Sequence, residues 1–250
     1  MDDTIKIANA FGWESIPNEG TGIGDGANTA LKNVDCDYFI SLEHDVILSQ
    51  DWWSRVMPII DQNTKIGAAC GIRLLTIKSV AAVEEFSYLR YRMNQDMRNP
   101  KKNDLESFLY GKTIDNTVYR TKVIRKIGGF PKVKVGVDTL LAYNLWRAGY
   151  DWVVNYDVRS QHIRASLREE LSHRYWYGRN FDILEDEMRI PHISLVTQVR
   201  RMLTSPVRGA QITFKSKNPQ ALFVYPAMRV YTLRGIVSAR KNKPDYYQKP

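Results

Sequence analysis

Apolar positions along the chain switch between helical and strand spacing. From Asp3 to Phe11 they recur on one face, through Ile5, Ala8 and Phe11, with Gly12 as a stop. A strand is expected around Trp13 to Pro17, then a glycine-rich turn and a helix from about Asp25 to Val34. Tyr38 to Leu42 is too short and too apolar for a helix and reads as a buried strand. Ser49 is placed to cap a helix through Trp52, Trp53, Val56, Met57 and Ile60, and Ile66 to Ile72 reads as the next strand. A helix of aromatic and basic residues is expected over Val80 to Arg98, ending in a polar turn at Asn99 to Asp104, as an insertion over a sheet.

The alternation continues with a strand at Thr117 to Tyr119 and a short helix closed by Gly128 and Gly129. A helix from Asp138 to Ala148 follows, closed by Gly149, with Leu141, Leu145 and Ala148 as its buried stripe. Asp151 to Ile163 reads as a strand and Ser166 to Met188 as one long helix. This rhythm predicts an α/β fold with a mainly parallel sheet flanked by helices. Beyond Pro191 the pattern changes to basic amphipathic segments interrupted by Pro206, Pro219 and Pro226. The expected organisation is an α/β domain over residues 1–190 and a basic helical region over 191–250. There are no internal repeats.

Composition narrows this picture. With 250 residues and 44% hydrophobic content, the chain can bury one sizeable core. Its 36 Lys and Arg exceed 27 Asp and Glu, a net charge of +9 that favours phosphate-bearing partners or an anionic membrane surface. Cys36 and Cys70 both fall in apolar runs and read as interior thiols, which disfavours a disulfide framework. No apolar run approaches the roughly 20 residues needed to span a bilayer, and the N-terminus lacks a secretion signal. A cytoplasmic protein, or one peripheral to the inner face of the membrane, is expected. No recognised nucleic-acid motif is present.

The candidate chemistry begins at Glu43-His44-Asp45, where the apolar run Tyr38 to Leu42 ends. Ligands of open α/β sheets bind beyond the carboxyl ends of strands, and two carboxylates there repel unless a cation sits beside them. Hard oxygen ligands suit magnesium or manganese. Solvated loop carboxylates, with Asp45 or Ser49 capping the next helix, are the alternative. Gly22, Gly24 and Gly26 could cradle a phosphate, although a lone glycine pattern is weak. On residues alone, Asp138 reads as the N-cap of its helix. His44, His173 and His192 carry little signal.

Four stretches in order resemble the family 2 glycosyltransferases, which have a GT-A fold: "NEGTGIGDGANTALKN", "DYFISLEHDVIL" with its Trp-containing helix, "VYRTKVIRKIGGF", and "GVDTLLAYNLWRAGY". The resemblance spans roughly residues 3–180. It implies an inverting, metal-dependent transfer of sugar from a nucleotide-diphosphate donor to a glycan, a polyprenyl phosphate or another hydroxyl acceptor. By the resemblance, Glu43-His44-Asp45 matches the family's Asp-x-Asp signature. Asp45 would then ligate Mn2+ or Mg2+ at the diphosphate, and Glu43 would stand nearer the ribose or sugar. Asp138 matches the catalytic base, with Val137 where a Glu is usual. His162 matches a histidine that completes the metal's coordination or touches the diphosphate. Gly24 and Asn28 would line the donor pocket. Arg174, Trp176 and Arg179 resemble a stretch on the acceptor side.

The family's first strands, which hold the nucleoside, have no counterpart here, so an N-terminally incomplete domain is expected. That shortfall keeps a second reading open, a non-catalytic relative acting as a binding subunit. The region after residue 190 combines apolar residues with Arg and Lys at helical spacing, which suits either packing on the domain or the surface of an anionic membrane.

Overall fold

A mixed sheet of five strands carries the fold in the computed structural model, which describes residues 3–96, 105–133 and 135–242. Helices α1 (Thr4–Ala10) and α2 (Ile23–Lys32) precede β1 (Tyr38–Leu42), and a two-residue strand β2 (Val46–Ile47) follows. Then come α3 (Trp52–Asp61), β3 (Ile66–Leu75), α4 (Lys78–Asp96) and α5 (Leu105–Leu109). Next are β4 (Asn116–Arg120), α6 (Thr121–Lys126), α7 (Val137–Arg147), β5 (Asp151–His162), α8 (Leu167–Arg179) and α9 (Phe181–Glu187). Three helices close the chain: α10 (Leu195–Leu203), α11 (Ser205–Ser216) and α12 (Ala221–Lys241).

The strand order is β1-β4-β3-β5-β2. Only β3 and β5 run parallel, joined in register from Ile66–Asp151 to Leu75–His162; the other three pairings are antiparallel. The mixed α/β sheet is as expected, but its parallel share is small among the described residues. The cause is local: β1 and β2 come from one short excursion around Glu43 to Asp45, and each lies on an outer edge.

Both faces of the sheet are covered. Trp52, Val56 and Ile60 of α3 pack on Ala69, Val118 and Val158 on one side. Val137, Leu141 and Leu145 of α7 pack with Cys70, Tyr119 and Trp152 on the other. A separate core joins Val80 and Val83 of α4 to Ile212, Ala221, Val224 and Met228 of α11 and α12. Residues after 190 therefore share apolar packing with residues before it.

Several expected elements change. No strand forms around Trp13 to Pro17, where Trp13 and Ile16 are exposed, and α1 buries no residue. β1 is half-buried, because an edge strand covers only one partner side. Cys36 is exposed in the loop before it; both thiols are free. Ser49 does not cap α3, whose N-cap is Asp51. The long helix expected to Met188 breaks at Asn180 into α8 and α9. Pro226 does not break α12, while Pro206 opens α11. The expected turn at Asn99 to Asp104 lies outside the described residues.

Candidate active site

The sheet's topology brings separated residues together at one end. After β1, the chain turns at Glu43, with Val46 N–H donating to Glu43 O, and enters β2. β2 pairs with the end of β5, Val46 opposite His162, and Ile163 N–H donates to Asp45 O at 2.7 Å. That pairing sets Asp45 Oδ2 3.0 Å from His162 Nε2. The expected pairing of Asp45 with His162 is thus a product of two strands 117 positions apart in their contact residues.

Arg73 reaches the same point from β3. Its Nε lies 2.8 Å from Asp115 Oδ2, and its Nη1 contacts His162 Nδ1. A guanidinium only donates, so Nδ1 accepts and the imidazole proton sits on Nε2, facing Asp45. Burial, followed by the Arg73 charge, pushes His162 below its ordinary value, so the ring is neutral near pH 7. Burial is the largest influence on Asp45 and alone would raise it, but the hydrogen bond from His162 and the smaller favourable contributions after it together hold the carboxyl low. The pair is a hydrogen bond from neutral imidazole to carboxylate.

Carboxylates crowd this point. Burial, with the Asp115 charge next, pushes Glu43 up to about 7, and Asp45 and Asp138 add to the repulsion. Asp138 is also raised, by burial first, with Asp115 among the charges opposing its ionisation. Asp138 does not cap α7. The N-cap is Gly136, held at a φ of 70° that favours glycine, which places Asp138 inside the first helical turn with Oδ1 accepting from Thr139 N–H at 2.8 Å. The other carboxylate oxygen remains for chemistry. One oxygen of Asp45, Oδ1, and one of Asp115, Oδ1, are buried with no hydrogen-bond donor. Among the described residues no three carboxylate, imidazole or thiol groups are gathered closely enough to hold a metal by themselves; Asp45 and His162 supply two adjacent donors of types that suit a divalent cation.

Three contributors carried no usable sequence signal or were passed over. Arg73 is the first residue of an unexpected extension of β3 beyond Ile72, whose apolar run conceals it. Asp115 stands in a loop before β4 and is 2% exposed. Tyr177 of α8 lies within electrostatic reach of Asp138 and Arg73, and burial raises its hydroxyl. A lone arginine at the end of an apolar strand was the one clue available.

The other expected positions divide. Asn28 clamps α2 to the loop after α6: its Nδ2 donates to Phe130 O and its Oδ1 accepts from Phe130 N–H, each at 2.8 Å. Gly24 permits that docking, since a methyl there would meet Pro131 O at 2.1 Å. Both residues hold α2 against the loop after α6. Arg174 Nε lies 2.6 Å from an oxygen of Glu170, a residue only 3% exposed, and forms an ion pair with it. Trp176 packs against His173 and Tyr177. Arg179 keeps a buried Nε without a partner and lies where α8 crosses α12.

A mixed sheet covered by helices on both faces, with acidic groups at one end, is compatible with a GT-A fold. The chain belongs to the glycosyl transferase family 2, whose family model matches residues 1–128. No curated protein matches it in sequence. Among solved structures it is similar to the mannosyltransferase PcManGT from Pyrobaculum calidifontis, in complex with GDP-Man and Mn2+. The TM-score is 0.61 at 12% identity, over 98% of this chain and 76% of that one. It is also similar to glucosyl-3-phosphoglycerate synthase from Mycobacterium tuberculosis, in complex with phosphoglyceric acid, at a TM-score of 0.52 and 14% identity, over 77% and 67% of the two chains. At these identities the likeness shows the fold. Family and fold together support a glycosyltransferase enzyme.

Proposed function

We propose that this enzyme transfers a sugar, with inversion, from a nucleotide-diphosphate sugar to a hydroxyl or phosphate acceptor on a glycan or polyprenyl phosphate. The observation that carries this reading is the convergence of Glu43, Asp45, Asp115 and Asp138 around Arg73 and His162, with buried carboxylate oxygens unpartnered. Asp45 and His162 would hold a divalent cation, Mn2+ or Mg2+, which neutralises charge developing on the leaving diphosphate. A structure of similar fold, PcManGT, contains GDP-Man and Mn2+, which supports both the donor class and the cation. Ligation through Nε2 requires His162 to shift its proton and Arg73 to release Nδ1.

Asp138 serves as the base. Burial raises its carboxyl above the ordinary range, which makes it a stronger base for the proton of the acceptor oxygen as that oxygen attacks the anomeric carbon. Arg73 stays protonated against Asp115 and keeps the acidic cluster from losing its only described guanidinium partner. Tyr177 lies within electrostatic reach of Asp138.

Calorimetry of GDP and UDP, with and without Mn2+, tests the assignment. Binding that needs both Mn2+ and the Asp45 carboxylate is expected. Asp138→Asn should retain binding but lose turnover by on the order of 10²- to 10⁴-fold, read as metal-dependent release of sugar from the donor. Full turnover in Asp138→Asn would remove it as the base.

One observation favours a peripheral membrane location. Helix α10 exposes Leu195, Val196, Val199 and Leu203 and buries Gln198, the reverse of a helix packed on a core. Phe214 and Phe223 are also exposed, at 88% and 73%, among basic residues. No helix of the described residues is long and apolar enough to cross a membrane. Such a surface suits the interface of an anionic bilayer.

A further inference from the structure

Four helices each turn one arginine into a single cavity of about 600 Å³: Arg90 of α4, Arg201 of α10, Arg208 of α11 and Arg229 of α12. No acidic residue lines it. Elsewhere in the protein, Arg73, Arg164, Arg174 and Arg240 each pair with a carboxylate. Among the described residues, the four at the cavity have no such partner. Arg208 spends its contacts on Gln211 Oε1, at 3.2 Å, and on the face of Phe86.

The cavity is built to stay positive. The first turn of α11 lines it through Ser205 and Val207 and carries no side-chain cap. Burial, and then the charges of Arg201 and Arg174, depress the guanidinium of Arg229. Four converging cations without an anion repel one another, and such an arrangement is relieved by a ligand that supplies several acceptor oxygens. Guanidinium forks match phosphate oxygens in pairs. The cavity's size falls within the roughly 300–1,000 Å³ range of small-molecule sites.

We infer that the cavity between α4, α10, α11 and α12 is a binding site for a phosphate or diphosphate group, distinct from the acidic cluster at Asp45 and Asp138. The group could arrive on a soluble ligand or on a lipid headgroup; the recognition chemistry is the same. This assignment goes beyond the proposed transfer reaction and does not depend on it, since the two sites share no residue.

The test uses the full chain with a chelator present, so that no cation is held at Asp45. Pyrophosphate is titrated by calorimetry into the wild type, Arg201→Glu and the charge-matched Arg200→Glu, whose side chain is exposed on the same helix and does not line the cavity. In parallel, binding to phosphatidylcholine vesicles is measured with and without phosphatidic acid. Arg201→Glu should weaken the phosphate-dependent binding about tenfold or more and Arg200→Glu less than twofold. Asp45→Ala should leave it unchanged. Arg229→Gln should also weaken it, with a melting temperature equal to or above that of the wild type, because the replaced cation is unpaired.

Pyrophosphate that displaces the protein from phosphatidic acid vesicles assigns the site to a headgroup. Pyrophosphate that binds without affecting the vesicles assigns it to a soluble ligand. Equal losses in Arg200→Glu and Arg201→Glu would reduce the effect to diffuse charge and overturn the site. Absence of phosphate-dependent binding to either probe would also overturn it.

Discussion

At the residue scale, the candidate site places several carboxylates within electrostatic reach of one another. Glu43 is the most sensitive of them, pushed up to about 7 from an ordinary 4.5 by burial and by Asp115. In the unfolded chain it ionises near 4.5 and in the folded one near 7, so the folded state loses stability as pH rises across that window. Glu43→Gln should therefore stabilise the metal-free protein at pH 7.5 by about 1–2 kcal/mol after solvent screening, and leave it unchanged at pH 4.5. Thermal melts at the two pH values check this. A lower melting temperature at pH 7.5 would mean that an attractive partner, and not repulsion, governs the carboxyl. The same variant should bind the donor more weakly, which separates its functional role from its cost to stability.

At the element scale, α8, which carries Tyr177 within electrostatic reach of the candidate base, is held by its crossing with α12. A methyl on Gly178 would lie 2.1 Å from Thr232 O, and one on Gly235 would lie 2.1 Å from Tyr175 O. The two backbones touch because neither residue has a side chain. Gly178→Ala should force the helices apart and destabilise the protein by about 1–3 kcal/mol, seen as a lower midpoint in urea. An unchanged midpoint would show that the crossing is loose enough to absorb a methyl group. The site end of β5 is equally a matter of elements: the two-residue strand β2 exists to pair with His162 and Gln161, and through that pairing Asp45 meets its imidazole.

At the scale of the whole molecule, the C-terminal helices bury one face against α4 and leave another apolar face outward. If that face meets a bilayer, Phe214→Ser with Phe223→Ser should lower partitioning onto anionic vesicles by about tenfold or more, with the folded stability unchanged. Sedimentation with vesicles at low and high salt gives the readout, and the electrostatic part should weaken with salt. Wild-type protein that stays in the supernatant at low salt would assign the apolar face to something other than lipid.

Much of the fold was legible in one dimension. Period-two and period-3.6 patterning located β1, α7 and β5 to within a residue or two, and Gly128, Gly129 and Gly149 marked real helix ends with positive φ. Glu43, Asp45, Asp138 and His162 were legible as candidates, because their positions follow from element ends and from the order of the family's motifs. Their mutual distances, and the roles of Arg73, Asp115 and Tyr177, were not. Those depend on which strands become neighbours, and side-chain periodicity is blind to that. The same blindness explains the missing strand at Trp13 to Pro17 and the clamp roles of Gly24 and Asn28, each decided by what packs against it. Local pattern determines whether a segment is helix or strand, since that preference is set by near neighbours in the chain. Which charges are left buried without partners is decided only when distant segments meet, since desolvation and Coulomb repulsion are properties of the assembled fold.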